Sequence, residues 1–576
     1  MMSLPAKDQF FSELTQETIS DEDYKHAQSV WQEFRCKTLG DYHDVYLKAD
    51  VLLLADVFEQ FRTMSLETYK LDPAHYFTSP GLAWDAMLRH TGIELELLTD
   101  PDMYLMIEAG IRGGVSMITK KHSKANNPYI KESYDIDKPV VYLMYLDANN
   151  LYGWAMCRAM PEKDFVWCTE QQLHDLNVMD IGERSTIGYF LEVDLDIPVE
   201  LHDLHNDYPL APEQRVTPLN ELSPYTQELY KKLKLSGKPQ PKLVPTLHPK
   251  RNYVVHYFAL QNYIQHGAKL VKIHRGLQFK QSQWLKPYIE LNTEKRKHAA
   301  NAFEKDFFKL MNNSVFGKTM ENVRGRINLE LVHTDRRMRR LSCKPNFHRL
   351  LAFNQNLVAV QCLKSTLCLD KPIYVGCAIL DTSKTLMYDF HYNYVKQKYG
   401  SKARLCFTDT DSLLYEFTDV DDIYRDMKED QHLFDTSDYP KEHMLYSARN
   451  KKILGKMKDE MAGVPIVEFV GLRSKQYSID SGKEQKKTAK GIKKSAIRQL
   501  RHEMYRQSLL DETTSMAGMN NIRSHMHRLY SEHLNKEALS PYDDKRYVLD
   551  DKVSTRAHGH RLNHTQTDAT LSTSEW

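Results

Sequence analysis

The 576-residue sequence predicts an α+β fold, and three stretches predict it. Arg404 to Phe417, RLCFTDTDSLLYEF, sets two apolar arms around Asp409-Thr410-Asp411-Ser412 and reads as a β-hairpin with two carboxylates at its tip. Val140 to Met156, VVYLMYLDANNLYGWAM, runs apolar and aromatic residues straight into Asp147, the pattern of a buried strand that ends on a carboxylate. Phe303 to Val323, FEKDFFKLMNNSVFGKTMENV, repeats at helical spacing.

Composition bounds the rest. The length allows several packing units, and a hydrophobic share of 41% with 33 Tyr and 21 Phe supplies their cores. Lys plus Arg (78) balance Asp plus Glu (77), so any nucleic-acid contact must come from local patches and not from overall charge. Eight scattered cysteines without a CxxC pair argue against a zinc site or a disulfide framework and suit a reducing compartment. No signal-like N-terminus and no membrane-length apolar run is found, so an intracellular protein without membrane attachment is expected.

In chain order, Asp41 to Tyr69 is the first strong element. Leu47, Val51, Leu54, Phe58 and Phe61 recur at helical spacing and are expected to face a core, while Tyr46 and Asp50 share another face one turn apart. Gly110 to Ile118, GIRGGVSMI, follows: Gly113-Gly114 would let a backbone approach a ligand, and Arg112 offers a phosphate contact, although a plain glycine turn fits equally. Ser236 to Pro249 reads as an extended surface connection; His256 to Gln265 and Val271 to Phe279 read as a helix and a strand.

In the 303–323 helix, Phe307, Leu310, Met311 and Ser314 are expected to pack, leaving Lys309, Asn313, Phe316 and Gly317 opposite. That second face offers an ammonium, an amide, a ring and a gap, which is what gripping a nucleotide needs. Upstream, Lys295, Arg296 and Lys297 offer further phosphate contacts or a solvated turn. Lys483 to Lys494, KEQKKTAKGIKK, places six lysines around a glycine, either as a solvated loop or as a track for a duplex backbone. From about Ala538 the sequence turns polar and is expected to end in a disordered tail.

The hairpin also states a chemical demand. Two carboxylates this close repel unless neutralised, and an all-oxygen site takes a hard cation such as Mg²⁺ together with a third carboxylate, which Asp147 can supply. A polar turn without function is the competing reading of an isolated Asp-Thr-Asp.

These motifs together resemble the family B DNA polymerases of the organellar, viral and protein-primed branch, over about Tyr42 to Lys494. Asp147-Ala-Asn-Asn-Leu-Tyr152 is similar to motif A, with Asn150 for Ser and Gly153 for Pro; Lys309-x-x-x-Asn313-Ser314-x-Phe316-Gly317 is similar to motif B; Phe407-x-Asp409-Thr410-Asp411-Ser412 is similar to motif C. Lys475-Gln476-Tyr477 resembles the Lys-x-Tyr primer motif, and Gly113-Gly114 the Tyr-x-Gly-Gly linker, with Ile111 at the Tyr position. Tyr46-x-x-x-Asp50 resembles the third motif of the attached 3′→5′ exonucleases, whose earlier motifs are not found in the 45 residues before it. Through FEKDFFKLMNNSVFGKTMENVRGR and SPYDDKRYVLDD the closest resemblance is to polymerases of Polinton/Maverick and adintovirus-like elements.

The resemblance implies a right-hand polymerase. Its parts would be the end of an RNase H-like exonuclease domain (1–95), a palm with fingers and insertions (96–480), a thumb (481–540) and a polar tail (541–576). It implies templated nucleotidyl transfer, with two Mg²⁺ ions, or Mn²⁺ in substitution, held by Asp147 and Asp411 and supported by Asp409. Tyr152, Lys309, Asn313, Phe316, Gly317 and Lys297 would bind the nucleotide. Arg112, Gly113, Gly114, Ser314, Lys318, Thr410, Ser412, Lys475, Tyr477 and Lys490 would contact primer and template. The implied partners are primer-template DNA and dNTPs; a terminal protein or an oligonucleotide could prime, and the chain would act as a monomer in the nucleus or wherever its element replicates. No proofreading is expected of this polypeptide. An inactive element-derived remnant that still binds primer-template DNA, and a reverse transcriptase, are the two competing classes.

Overall fold

The computed structural model describes residues 2–236, 238–525 and 528–563. Its centre is a six-stranded sheet in the order Ser116–Ile118, Ala403–Asp409, Ser412–Thr418, Val141–Ala148, Met457–Asp459, Phe434–Asp435, antiparallel except for the last pair. The apolar run of 141–148 is buried on both faces, which explains why it lacks the alternation of a half-exposed strand. The buried helix Ile373–Asp389 continues into a π-helical turn, Phe390–Lys396, and its C-terminal end and that turn pack with the sheet through Met387, Tyr388, Phe390, Tyr392 and Val395. Beyond it lies a four-stranded sheet of Met160–Trp167, Lys269–Ser282, Ile187–Asp196 and Lys250–His256. A second four-stranded sheet, Gln485–Ala489, Gln476–Asp480, Glu468–Arg473 and His122–Lys124, packs Phe469, Tyr477 and Ile479 against the back of the hairpin.

Two smaller units project from this body. Residues 328–362 form a three-stranded sheet with the helix Asp335–Ser342 and a core of their own around Val332, Leu341, Val360 and Cys362. Residues 494–539 form two short helices and a long hairpin, Ser515–His525 with Arg528–Leu539.

Four expectations are corrected here. The helix Leu39–Tyr69 forms behind a Thr38 capping box, but Leu47, Val51, Leu54 and Phe58 are exposed, Leu54 by 68%. Toward its C-terminal end it is covered, where Phe61 meets Phe307 edge-on at 5.1 Å. Helical spacing reports an apolar face and says nothing of what covers it. Within Ser236 to Pro249, Lys242–Val244 pairs with Glu213–Arg215 and residues 244–247 are buried; Gly237 lies outside the described residues. Residues 485–489 of the lysine-rich stretch are a paired strand and not a loop.

The expected polar tail is packed as far as residue 563; residues 564–576 lie outside the described residues. Several of its polar residues are buried with partners elsewhere in the chain. The fully buried Arg546 donates to Thr555 Oγ1 at 3.0 Å and to the Asn206 carbonyl at 2.8 Å, and Lys121 Nζ donates to the Pro541 carbonyl at 2.7 Å.

Candidate active site

The hairpin tip is built by its backbone. Asp409 pairs with Ser412, Thr410 turns through φ 67°, and its N–H donates to the Val115 carbonyl at 2.7 Å. Gly114 is required by this approach: a Cβ there would lie 2.3 Å from Thr410 Oγ1. The close contact at Gly114 is therefore with the hairpin and not with a ligand, while Gly113 has open space. On the other side Ser412 is in register with Asp147, and the Ala148 N–H donates to the Asp411 carbonyl at 2.7 Å. The ladder thus delivers Asp147 and Asp411 to one cleft of about 340 Å³, which Tyr152, Lys309, Asn313 and Thr410 also line.

Burial, reinforced by Asp411 and Glu460, raises the Asp147 carboxyl to about 8, against the pull of Lys458 and Lys486. Burial and Asp409 raise Asp411 as well, with Lys475 and Lys309 opposing. Asp409 is different: Lys475 Nζ stands 2.9 Å from its Oδ1. The two cleft carboxylates are thus the frustrated pair, and Asp409 is the neutralised one.

Beside them Asn150 adopts a left-handed conformation (φ 42°) and accepts from the Gly153 N–H at 3.2 Å, capping the helix Leu151–Met156. A Cβ on residue 153 would meet Asn150 Nδ2 at 2.3 Å, which accounts for Gly153. The cap aims Tyr152 into the cleft, where its ring lies 4.6 Å from that of Phe316 at 31°. Burial, with the nearby Asp411 and Asp409, pushes the Tyr152 hydroxyl up to about 12, so it stays protonated.

Phe316 belongs to the helix Ala302–Thr319, on which Lys309, Asn313 and Gly317 are exposed. Nothing lies within 4 Å of a Cβ at Gly317, so the gap expected there is open. Leu310 is exposed, however, and Phe308, Asn312 and Val315 pack in its stead; Asn312 accepts from Asn292 Nδ2 at 2.9 Å.

Several predicted contacts face elsewhere. Arg112 is buried, its guanidinium 3.7 Å above the Tyr253 ring and donating to the Val254 carbonyl at 2.7 Å, so it braces the core and presents nothing to a phosphate. Ser314 and Ser412 are buried. Tyr477 is buried too, stacked on Phe407 at 4.4 Å, and supports the hairpin from behind. Lys297 pairs with Glu294 at 3.3 Å, and the neighbouring Arg296 lines the cleft in its place. Lys318 pairs with Glu321 at 2.9 Å. Lys490 is exposed on a groove of about 630 Å³ that Arg473, Lys536 and Lys545 also line. Tyr46 and Asp50 are exposed and bonded to each other, which raises the Tyr46 hydroxyl.

Lys458 and Glu460 were not singled out by any motif. Strand pairing places Lys458 opposite Asp147, and the Glu460 N–H donates to the Tyr145 carbonyl at 2.9 Å. Among the described residues no group of three His, Cys, Asp or Glu side chains forms a metal cage. The cleft nevertheless fits a hard divalent cation, since its donors are carboxylate oxygens whose anionic forms are penalised as they stand, and no His or Cys lines it.

The family described as DNA polymerase type B, organellar and viral, matches residues 8–328. Among solved structures, the chain resembles Phi29 DNA polymerase complexed with primer-template DNA and incoming nucleotide substrates, at 14% identity and a TM-score of 0.50, over 90% of this chain and 73% of that one. It resembles the orthorhombic crystal form of Phi29 DNA polymerase at 13% identity and a TM-score of 0.51, over 89% and 78%. At these identities the likeness is one of fold. No curated protein matches the sequence.

Proposed function

The chain belongs to the organellar and viral type B DNA polymerases, and from that premise we propose that its cleft transfers dNTPs onto a primer 3′-OH by two-metal chemistry. The enzyme is a DNA-directed DNA polymerase. The observation that carries the proposed mechanism is that Asp147 and Asp411, on paired strand ends, line one cleft with Tyr152, Lys309 and Asn313.

In this reading Asp147 and Asp411 hold the divalent ions. Two Mg²⁺ ions, or Mn²⁺ in substitution, when bound supply the Lewis acidity that activates the 3′-OH and offsets charge on the leaving pyrophosphate. Lys309 reaches the triphosphate and stabilises the charge that builds there, and Asn313 lies one turn further along the same exposed face. Tyr152 and Phe316 form the floor under the incoming nucleotide. The Tyr152 ring excludes a 2′-OH by its bulk, and Gly317 leaves room for the nascent base pair. Lys475 fixes the hairpin through Asp409 and is well placed to meet the primer end. Lys490 and its neighbours offer a basic groove to the product duplex.

The natural role we assign is replication of a viral or transposable element of the Polinton/Maverick kind, primed by a protein hydroxyl or an oligonucleotide; it rests on the two quoted sequence stretches. Primer extension by the full chain with dNTPs and Mg²⁺, on DNA and on RNA templates, tests the proposal. Extension on DNA is expected. Primer-template binding without extension on either template would indicate an inactive remnant, and a preference for RNA a reverse transcriptase.

A further inference from the structure

The segment 540–563, whose SPYDDKRYVLDD stretch has no part in the chemistry derived so far, meets the central sheet at its edge. That edge is the strand Ser116–Ile118, only three residues long, and its neighbour is the hairpin strand that carries Asp409. Backbone bonds alternate along an antiparallel pair. The Val115 carbonyl accepts from the Thr410 N–H at 2.7 Å, and the Thr119 N–H donates to the Cys406 carbonyl at 2.8 Å, so these residues bond inward to the hairpin. Ser116, in register with Asp409, therefore turns its carbonyl outward to the free edge.

Lys545 takes that carbonyl: its Nζ donates to Ser116 O at 2.7 Å. Burial holds the ammonium below the ordinary lysine range, with Asp543 opposing and Lys242 and Lys490 adding to the shift. The segment around Lys545 is itself anchored. Its backbone N–H donates to Asp543 Oδ1 at 3.1 Å, Arg546 donates to the Asn206 carbonyl at 2.8 Å, and Thr555 Oγ1 donates to the Thr119 carbonyl at 2.6 Å, three residues beyond Ser116. From the other side Ser474 Oγ donates to Ser116 Oγ at 2.8 Å, next to Lys475, which holds Asp409. Ser116 is thus the point at which the C-terminal segment, the 473–475 turn and the hairpin meet.

We propose that Lys545 is a positioning residue for the carboxylate centre. By fixing Ser116 from the C-terminal segment, it holds the strand on which the Asp409–Ser412 tip rests, and so sets where Asp411 stands relative to Asp147. The consequence for nucleotidyl transfer rests on the polymerase reading of the cleft. The brace itself does not depend on that reading.

The test compares the full wild-type chain with Lys545→Met, which keeps the apolar stem and removes the donor, and Lys545→Arg, which can restore it. Amide hydrogen exchange is followed by mass spectrometry on the metal-free chain, over residues 403–411 and over the strand Ile187–Asp196 of another sheet. The Met variant is expected to exchange about fivefold faster at 403–411 and at the wild-type rate at 187–196, with recovery in the Arg variant. In primer extension, the Met variant should need about three- to fivefold more Mg²⁺ for half-maximal rate, with primer-template affinity within about twofold of the wild type. Lys545→Gln, polar but too short to reach Ser116, is read in the same way if the Met variant does not fold. Faster exchange at 403–411 in a chain that extends no primer would remove the polymerase reading and leave the brace standing. Unchanged exchange at 403–411 would overturn the proposal, whether or not DNA binding weakens. An equal rise at 403–411 and 187–196 would overturn it too, since that marks a general loss of stability.

Discussion

The carboxylates of the cleft, its acidic wall, and the cations of the cleft and of a small cavity beside it, the basic wall, are frustrated in opposite senses and are held in different ways. Asp147 and Asp411 stand on strand ends whose backbones are tied to each other, and their burial penalises the anionic form. Lys309, Lys305, Arg296 and Lys452 stand on a helix face, a helix end and a loop, with no side-chain bonds to fix them among the described residues. The acidic wall fixes a position to within the precision of a sheet, and the basic wall supplies charge that can adapt to a ligand. Neither neutralises the other, and a cation bound with a polyphosphate would relieve both.

Removing charge from the acidic wall gives the largest effect. Asp147→Asn is expected to lower the primer-extension rate by about 10³-fold or more, because a ligand fixed by the sheet has no substitute nearby. The same variant should be the more stable protein in the absence of divalent cations. Folding raises Asp147 to about 8, whereas an unfolded chain ionises it near 4. Between those values the folded state binds the additional proton, so wild-type stability falls as pH rises through this window. Thermal melts in chelator should therefore show the Asn variant higher by on the order of 1–2 kcal/mol at pH 8, with the gap closing toward pH 4.

On the basic wall the loss is smaller and shared. Lys309→Ala is expected to lower kcat/KM for dNTP about 10²-fold, measured at saturating primer-template, with DNA affinity nearly unchanged. Tyr152→Ala touches neither charge. It should leave dNTP use within about tenfold while raising rNTP incorporation relative to dNTP by about tenfold, read from single-nucleotide extension. Lys475→Ala frees Asp409 and removes one of the two cations that oppose the rise of Asp411, but leaves both cleft carboxylates in place, and is expected to cost least, about three- to tenfold in extension, mostly through primer affinity.

The contrast also explains what could be read from the sequence. The acidic wall was legible because a strand that is buried on both faces and ends in Asp leaves a continuous apolar run, and because the hairpin repeats that signal within fourteen residues. Lys309, Asn313 and Gly317 were legible from helical period alone. Lys458 and Glu460 were not, since their place is set by pairing with a strand more than 300 residues earlier, a fact their local pattern does not carry. Arg296 and Lys297 differ by one residue, about 100° around a helix, and packing decides which faces the cleft. Arg112 and the segment 540–563 show the same limit in reverse: polar residues read as solvent-facing are buried, with partners such as the Val254 and Asn206 carbonyls that lie far away in the sequence.

The central claim, that Asp411 with Asp147 forms the polymerisation centre, is tested most directly by Asp411→Asn. Primer extension and primer-template affinity would be measured on the same preparations as the wild type. The account predicts extension reduced by about 10³-fold or more with DNA affinity within about twofold. Near-normal extension by this variant would contradict it.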